Sequence, residues 1–303
     1  MILVTGAAGK TGRAVIRALT AQGAVVRALV HRPEQVRSVE ELGAQEALAG
    51  DMRVQATMEQ AARGVRAVYH ICPNVSPDEV AIGEIAISAA RSAGVERFVY
   101  HSVLHPQTEA MPHHWHKLHV EERLFESGLR YTILQPSAYM QNVLAHWDQT
   151  LEQGIYPVPY PAETRLGMVD LEDVAAAAAV VLTESGHAGA TYELGGAETL
   201  SQIEVAAILG QQLGRPVRAE VVPLETWERR ARASGLSDYQ VETLVKMFRY
   251  YARHGFWGNP RVLGWLLRRP PATFAAFVAR TARERLGRDR SQKYGAQQTV
   301  AHP

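Results

Sequence analysis

Three glycines at three-residue spacing, Gly6, Gly9 and Gly12, separate a short apolar run, Ile2-Leu3-Val4, from a helical pattern that begins at Arg13. A strand that feeds a tight turn and then a helix is the opening of a βαβ unit. In that setting Gly6 permits the turn, Gly9 lets the backbone approach a pyrophosphate, and Gly12 lets the helix pack close to the strand. The helix N-terminus then offers free N–H groups and partial positive charge to phosphates. A glycine-rich turn without a ligand is the plainer alternative. The valine-rich strand that follows on schedule favours the dinucleotide site.

Strand patterns recur over 24–31, 44–48, 67–71, 97–101 and 131–134, with helical patterns between them, notably over 77–93 and 113–127. This alternation predicts an α/β fold, a doubly wound parallel sheet of the Rossmann type. Ligands of such sheets sit beyond the carboxyl ends of the strands. The candidate cofactor loops are therefore Gly6 to Gly12 (with Ala8, Lys10 and Thr11), His31-Arg32, Asp51-Met52, Cys72-Pro73, the loop from Ser102, and the loop carrying Pro136 and Tyr139. We expect a nucleotide-binding domain over 1–153, with a further strand and helix of the same fold within 165–185. A smaller α+β substrate region over 186–286 and a disordered tail over 287–303 complete the organisation. Asp170 and Asp173 open an alanine-rich helix and read as caps rather than as a catalytic pair. Over 238–254, Val241, Leu244, Val245, Phe248 and Tyr251 make a helical apolar stripe suited to core packing.

The 303 residues carry 32 basic and 31 acidic side chains, a formal net charge of +1. That balance gives no reason to expect nucleic acid or an anionic membrane as a partner. The one cysteine, Cys72, excludes an internal disulfide and fits a reducing compartment. The longest apolar run, 175–182, is too short to span a bilayer. A cytoplasmic protein is expected, and a homodimer is compatible with the sequence.

The second strand ends in His31-Arg32-Pro33, without an acid until Glu34. An acidic residue there would bind ribose hydroxyls, whereas a basic one accepts a 2′-phosphate. Arg32 therefore points to NADP(H), with NAD(H) as the alternative. Asp51 is placed to meet the adenine amino group.

The chain resembles the NmrA-like branch of the atypical short-chain dehydrogenases, which includes isoflavone-reductase-like and quinone-reductase-like proteins. The resemblance is carried by Val4-Thr5-Gly6-Ala7-Ala8-Gly9-Lys10-Thr11-Gly12, Val26-Arg27-Ala28-Leu29-Val30-His31-Arg32-Pro33, Gly50-Asp51 and Phe98-Val99-Tyr100-His101-Ser102. It continues through Lys117 with Val120-Glu121-Glu122, and Thr132-Ile133-Leu134-Gln135-Pro136 with Tyr139-Met140-Gln141-Asn142. It implies a Rossmann domain, a smaller substrate domain and bound NADP(H). Some members are redox-sensing regulators, so it implies either a reductase or a non-catalytic NADP(H)-binding regulator. The family often has arginine where this chain has His31, and a small polar residue where it has Arg32.

In the wider superfamily a tyrosine precedes the ribose-binding lysine by four residues on one helix. Lys117 matches the lysine, and His113 stands in the tyrosine position. Ser102 matches the serine that orients a carbonyl. Reducing a simple ketone needs a placed acid, whereas a quinone or conjugated acceptor spreads the developing charge and can take its proton from solvent. The expected catalytic residues are Lys117, His113 and Ser102, and the expected substrate is a conjugated small molecule. Trp115, Tyr139, Trp147, Tyr160, Phe248 and Trp257 are candidates to line its pocket. An epimerase or dehydratase reading loses ground with the tyrosine. Six of the 12 histidines fall between His101 and His119. A polar helix face is the expected explanation, in preference to a metal site.

Overall fold

The structure is a computed structural model that describes residues 1–285; the tail expected over 287–303 lies outside the described residues. In chain order, β1 (Ile2–Val4), β2 (Val26–Val30), β3 (Glu46–Ala49), β4 (Ala67–His70), β5 (Arg97–His101) and β6 (Tyr131–Pro136) alternate with helices. These helices are α1 (Lys10–Ala21), α2 (Val36–Glu40), α3 (Gln55–Ala62), α4 (Glu79–Ser92) and α5 (Pro112–Phe125). Beyond them lie α6 (Trp147–Gln153), β7 (Ile155–Val158), β8 (Arg165–Leu166), α7 (Leu171–Thr183) and β9 (Ala190–Leu194).

The main sheet has seven parallel strands in the order β3-β2-β1-β4-β5-β6-β9. The order reverses between β1 and β4, which places the ligand crevice at the carboxyl ends of those strands. β1, β2, β4, β5 and β6 are largely buried on both faces, and the pleat sends alternate residues to opposite cores. Val4, Tyr69, Val99 and Leu134 join α1 and α7 in one core, whereas Leu3, Val68, Phe98, Tyr100 and Ile133 meet α3, α4 and α5 in the other. Ala175, Ala177, Ala178 and Ala179 are all buried and keep α7 thin, so that α1 packs closely on it.

A third core draws on β10 (Leu200–Ser201), α8 (Gln202–Leu213), β11 (Arg218–Val221) and α10 (Asp238–His254), and α9 (Leu224–Ala233) packs on α10. β7 pairs with β11, and β8 with β10. Two stretches sit differently from the expected division of the chain. Met140, Val143 and Trp147, within the 1–153 region, pack into this third core beside Leu209 and Phe277. Within the region expected over 186–286, Ala190–Leu194 is β9, the edge of the main sheet, and α11 (Pro260–Leu267) packs on α7. Hydrophobic period alone does not say which sheet a short strand joins.

Asp170 is the N-cap of α7 and accepts from the Glu172 amide at 3.1 Å, as its position in the sequence suggested. Both carboxylates also anchor the end of the chain. Asp170 accepts from Arg280 at 2.7 Å, and Asp173 from Arg269 at 2.5 Å and from the Ala272 amide at 2.6 Å.

Candidate active site

The glycine loop closes the carboxyl end of β1. Gly6 has a φ of +57°, and a Cβ there would stand 2.9 Å from the Ile71 carbonyl oxygen. A Cβ on Gly12 would stand 2.5 Å from the Gly6 carbonyl oxygen, so the α1 backbone lies directly on the loop. Gly9 is exposed, and a Cβ on it would approach only the Gly6 carbonyl, at 3.2 Å. It is the N-cap of α1 and makes no side-chain cap, and the first turn holds no acid. The Lys10, Thr11 and Gly12 amides therefore face a space suited to an anion.

Lys10, His31 and Arg32 are exposed around this opening, and none enters an ion pair among the described residues. Asp51 is held by Arg53 at 2.7 Å and by the Arg53 amide at 2.9 Å, contacts that lower its carboxyl to about 2. Its carboxylate is thus engaged by a residue that the sequence reading did not single out. Met52 packs against the core on the α3–α5 side. Pro73 is exposed, whereas Cys72 is buried, and burial raises its thiol. A buried neutral thiol behaves as a small apolar group.

Lys117 lies at the end of β5 on the α4–α5 face. Its Nζ donates to Glu79 Oε1 at 2.9 Å and to the His101 carbonyl at 3.2 Å, and sits 5.3 Å from the centre of the Tyr100 ring. Glu79 is 3 % exposed and also accepts from the Tyr100 hydroxyl at 2.8 Å. The ion pair gives Lys117 a fixed aim, and Glu79 is the functional candidate that sequence reasoning missed. Glu79 looks like any acid in the first turn of a helix, and Lys117 lies 38 residues away.

Ser102 is buried and donates to Glu121 on α5, which also accepts from Gln135 at 2.9 and 3.0 Å. Burial raises the Glu121 carboxyl. The carbonyl-orienting role expected of Ser102 is not what this geometry offers, because its hydroxyl ties β5 to α5. His113 does lie on the Lys117 side of α5, but desolvation and the neighbouring His114 and Lys117 push it down to about 2. It is a neutral imidazole whose buried Nδ1 has no hydrogen-bond partner among the described residues. A neutral ring does not present the acidic proton of an imidazolium.

On the opposite face the Tyr69 hydroxyl meets His101 Nδ1 at 2.6 Å, and His101 Nε2 meets the Tyr139 hydroxyl at 2.6 Å. Tyr139 is half-buried, has the Thr11 side chain near its hydroxyl, and is pushed up to about 12 by burial. Pro136 is buried at the end of β6. Among the histidines of 101–119, His113 and His114 stack edge-on and His105 and His114 both meet Phe256, whereas His116 meets Tyr239 and His119 meets Glu122. Among the described residues no His, Cys, Asp and Glu side chains gather as a metal set.

Of the aromatic residues expected to line a pocket, Trp147 is 2 % exposed and belongs to the third core. Tyr160 and Phe248 pack on each other, and Trp115 on His119. Trp257 lines a cleft of about 590 Å³ with His105, Glu193, Tyr250, His254 and Asn259. That cleft opens beside β9, and no glycine-loop residue lines it.

The family model described as the NmrA-like family matches residues 1–267. The chain is 32% identical to NAD(P)H azoreductase of Xenophilus azovorans, covering 92% of this chain and 96% of that one. It is 28% identical to quinone oxidoreductase 2 of Escherichia coli, covering 92% and 98%. The structure of NADPH-dependent quinone oxidoreductase from Escherichia coli complexed with NADPH superposes with a TM-score of 0.81 at 27% identity, over 93% of this chain and 99% of that one. Triphenylmethane reductase from Citrobacter, at 23% identity and a TM-score of 0.81, shares the fold.

Proposed function

The chain belongs to the NmrA-like family, and on that premise we propose that it binds NADP(H) and reduces a quinone or another conjugated small molecule, azo compounds included. The observation that carries the reading is Lys117, fixed by buried Glu79 at the carboxyl end of β5, on the same sheet edge as an uncapped glycine loop. The azoreductase and quinone oxidoreductase relatives support the reaction class.

The residues present fit the dinucleotide. Gly9 and the first turn of α1 suit the pyrophosphate, and Lys10, His31 and Arg32 suit a 2′-phosphate. When bound, NADPH supplies the hydride. Lys117 presents a directed hydrogen-bond donor and positive charge to the nicotinamide half of the site. An ammonium held in this way orients and stabilises; it does not accept a proton. Neutral His113 is not a ready source of an acidic proton. That matches an acceptor whose reduced form spreads its charge and draws its proton from solvent.

The test is NADPH oxidation by the purified protein against quinones, azo dyes and enones, with calorimetric titration of NADPH and NADH. The expected result is turnover with a conjugated acceptor and tighter binding of NADPH. Tight NADPH binding without turnover on any acceptor would refute the reductase reading.

A further inference from the structure

The hydrogen-bond chain Tyr69–His101–Tyr139 has a direction, and the direction follows from counting donors. Tyr69 is 0% exposed, and His101 Nδ1 is the one partner of its hydroxyl among the described residues. A buried hydroxyl proton without an acceptor is strongly disfavoured, so Tyr69 donates and Nδ1 accepts. Burial pushes His101 down to about 3, so the ring is neutral and its one proton is on Nε2. Nε2–H therefore donates to the Tyr139 oxygen, 2.6 Å away. The Tyr139 proton must then point away from His101. Thr11, in the first turn of α1 at the glycine loop, is the other side chain near this hydroxyl.

We propose that Tyr69 and His101 are positioning residues that hold the Tyr139 hydroxyl as a hydrogen-bond donor to a phosphate oxygen of the bound dinucleotide. The proposal rests on the NADP(H) reading given above. It assigns a binding role to two buried rings, at least one of which, Tyr69, is sealed from any ligand. Without the Tyr69 proton, His101 can carry its own proton on Nδ1 and accept from Tyr139 through Nε2. The Tyr139 proton would then be drawn inward, and the ligand would lose its donor.

Three variants and one spectrum test this. NADPH affinity is measured for wild type, Tyr69→Phe, Tyr139→Phe and the double variant, with thermal stability recorded without NADPH. Tyr139→Phe is expected to weaken NADPH binding roughly tenfold or more, as for a hydrogen bond to a charged group. Tyr69→Phe should weaken it in the same direction, and the double variant should bind no more weakly than Tyr139→Phe alone. Wild-type affinity in Tyr69→Phe or in Tyr139→Phe, or losses that multiply in the double variant, would overturn the proposal. The second measurement is the ¹⁵N spectrum of His101 in the wild-type protein, which needs no variant to fold. The Nε2–H tautomer is expected, and an Nδ1–H tautomer overturns the proposal. Wild-type protein that fails to bind NADPH overturns the cofactor reading and this proposal with it. Wild-type binding with an insensitive Tyr139→Phe overturns this proposal alone.

Discussion

The two faces of the main sheet carry opposite chemistry, although the same two strands feed both. β4 ends in Tyr69-His70 and β5 in Tyr100-His101. The pleat sends Tyr100 to the α4–α5 side, where it meets the Glu79–Lys117 ion pair, and His70 stacks beside it at 6.0 Å. Tyr69 and His101 go to the α1–α7 side, where the hydrogen-bonded rings are neutral and their chain ends at Tyr139. On the proposed reading, one face fixes a charge for the nicotinamide half of the cofactor, and the other orients a hydroxyl for its phosphates. A sheet of side-chain period two can equip both ends of a dinucleotide site from adjacent residues.

Breaking the charged face should have the largest effect. Glu79→Ala leaves Lys117, whose side chain is 15% exposed, without its carboxylate. Removing one partner of a buried ion pair costs about 3–5 kcal/mol, so the unfolding midpoint in urea should fall sharply. Glu79→Gln, which keeps a hydrogen-bond acceptor, should recover part of that loss.

Both faces contribute to acid sensitivity. Burial lowers His70 and His114 to about 4, His101 to about 3 and His113 to about 2, from an ordinary 6.5. As pH falls below about 6.5 the unfolded chain takes up protons that the native protein refuses. The stability from keeping these rings neutral is complete above that pH and is lost as pH falls towards the native values. Each ring steepens the decline by up to about 1.4 kcal/mol per pH unit. Unfolding free energies between pH 7 and pH 5 should therefore fall steeply. In His101→Gln the slope should lessen by about one proton.

At the phosphate end, Arg32→Ala should weaken NADPH binding by roughly ten- to hundredfold and leave NADH binding nearly unchanged, which calorimetry with both cofactors measures. His113→Ala should have the smallest effect, within about tenfold in turnover, because a neutral imidazole is a poor acid. A larger loss would make His113 a direct substrate contact.

The sequence was most legible where the signal is local. The glycine loop, the strand–helix alternation and the helix over 238–254 depend on spacing within a few residues, and α10 begins and ends at those bounds. Lys117 was singled out through the family resemblance, which matches it to the superfamily's ribose-binding lysine, with His113 one helix turn before it. Glu79, Glu121 and Tyr69 were not, because their partners lie 38, 19 and 32 residues away and meet only when the sheet is assembled. Ser102 shows the same limit: a serine at a strand end looks available, and the fold hands its hydroxyl to Glu121. A signal for the buried relay did exist. Tyr and His end two strands whose central residues are apolar, and neither belongs in a core without a partner.

The most direct test of this division is single-turnover NADPH oxidation with a quinone acceptor, titrated in NADPH, for Glu79→Gln and Tyr69→Phe. Glu79→Gln should lower the rate at saturating NADPH more than it raises the NADPH requirement. Tyr69→Phe should do the reverse, raising the NADPH requirement more than it lowers the saturated rate. The same pattern in both variants, or the opposite assignment, would contradict the account.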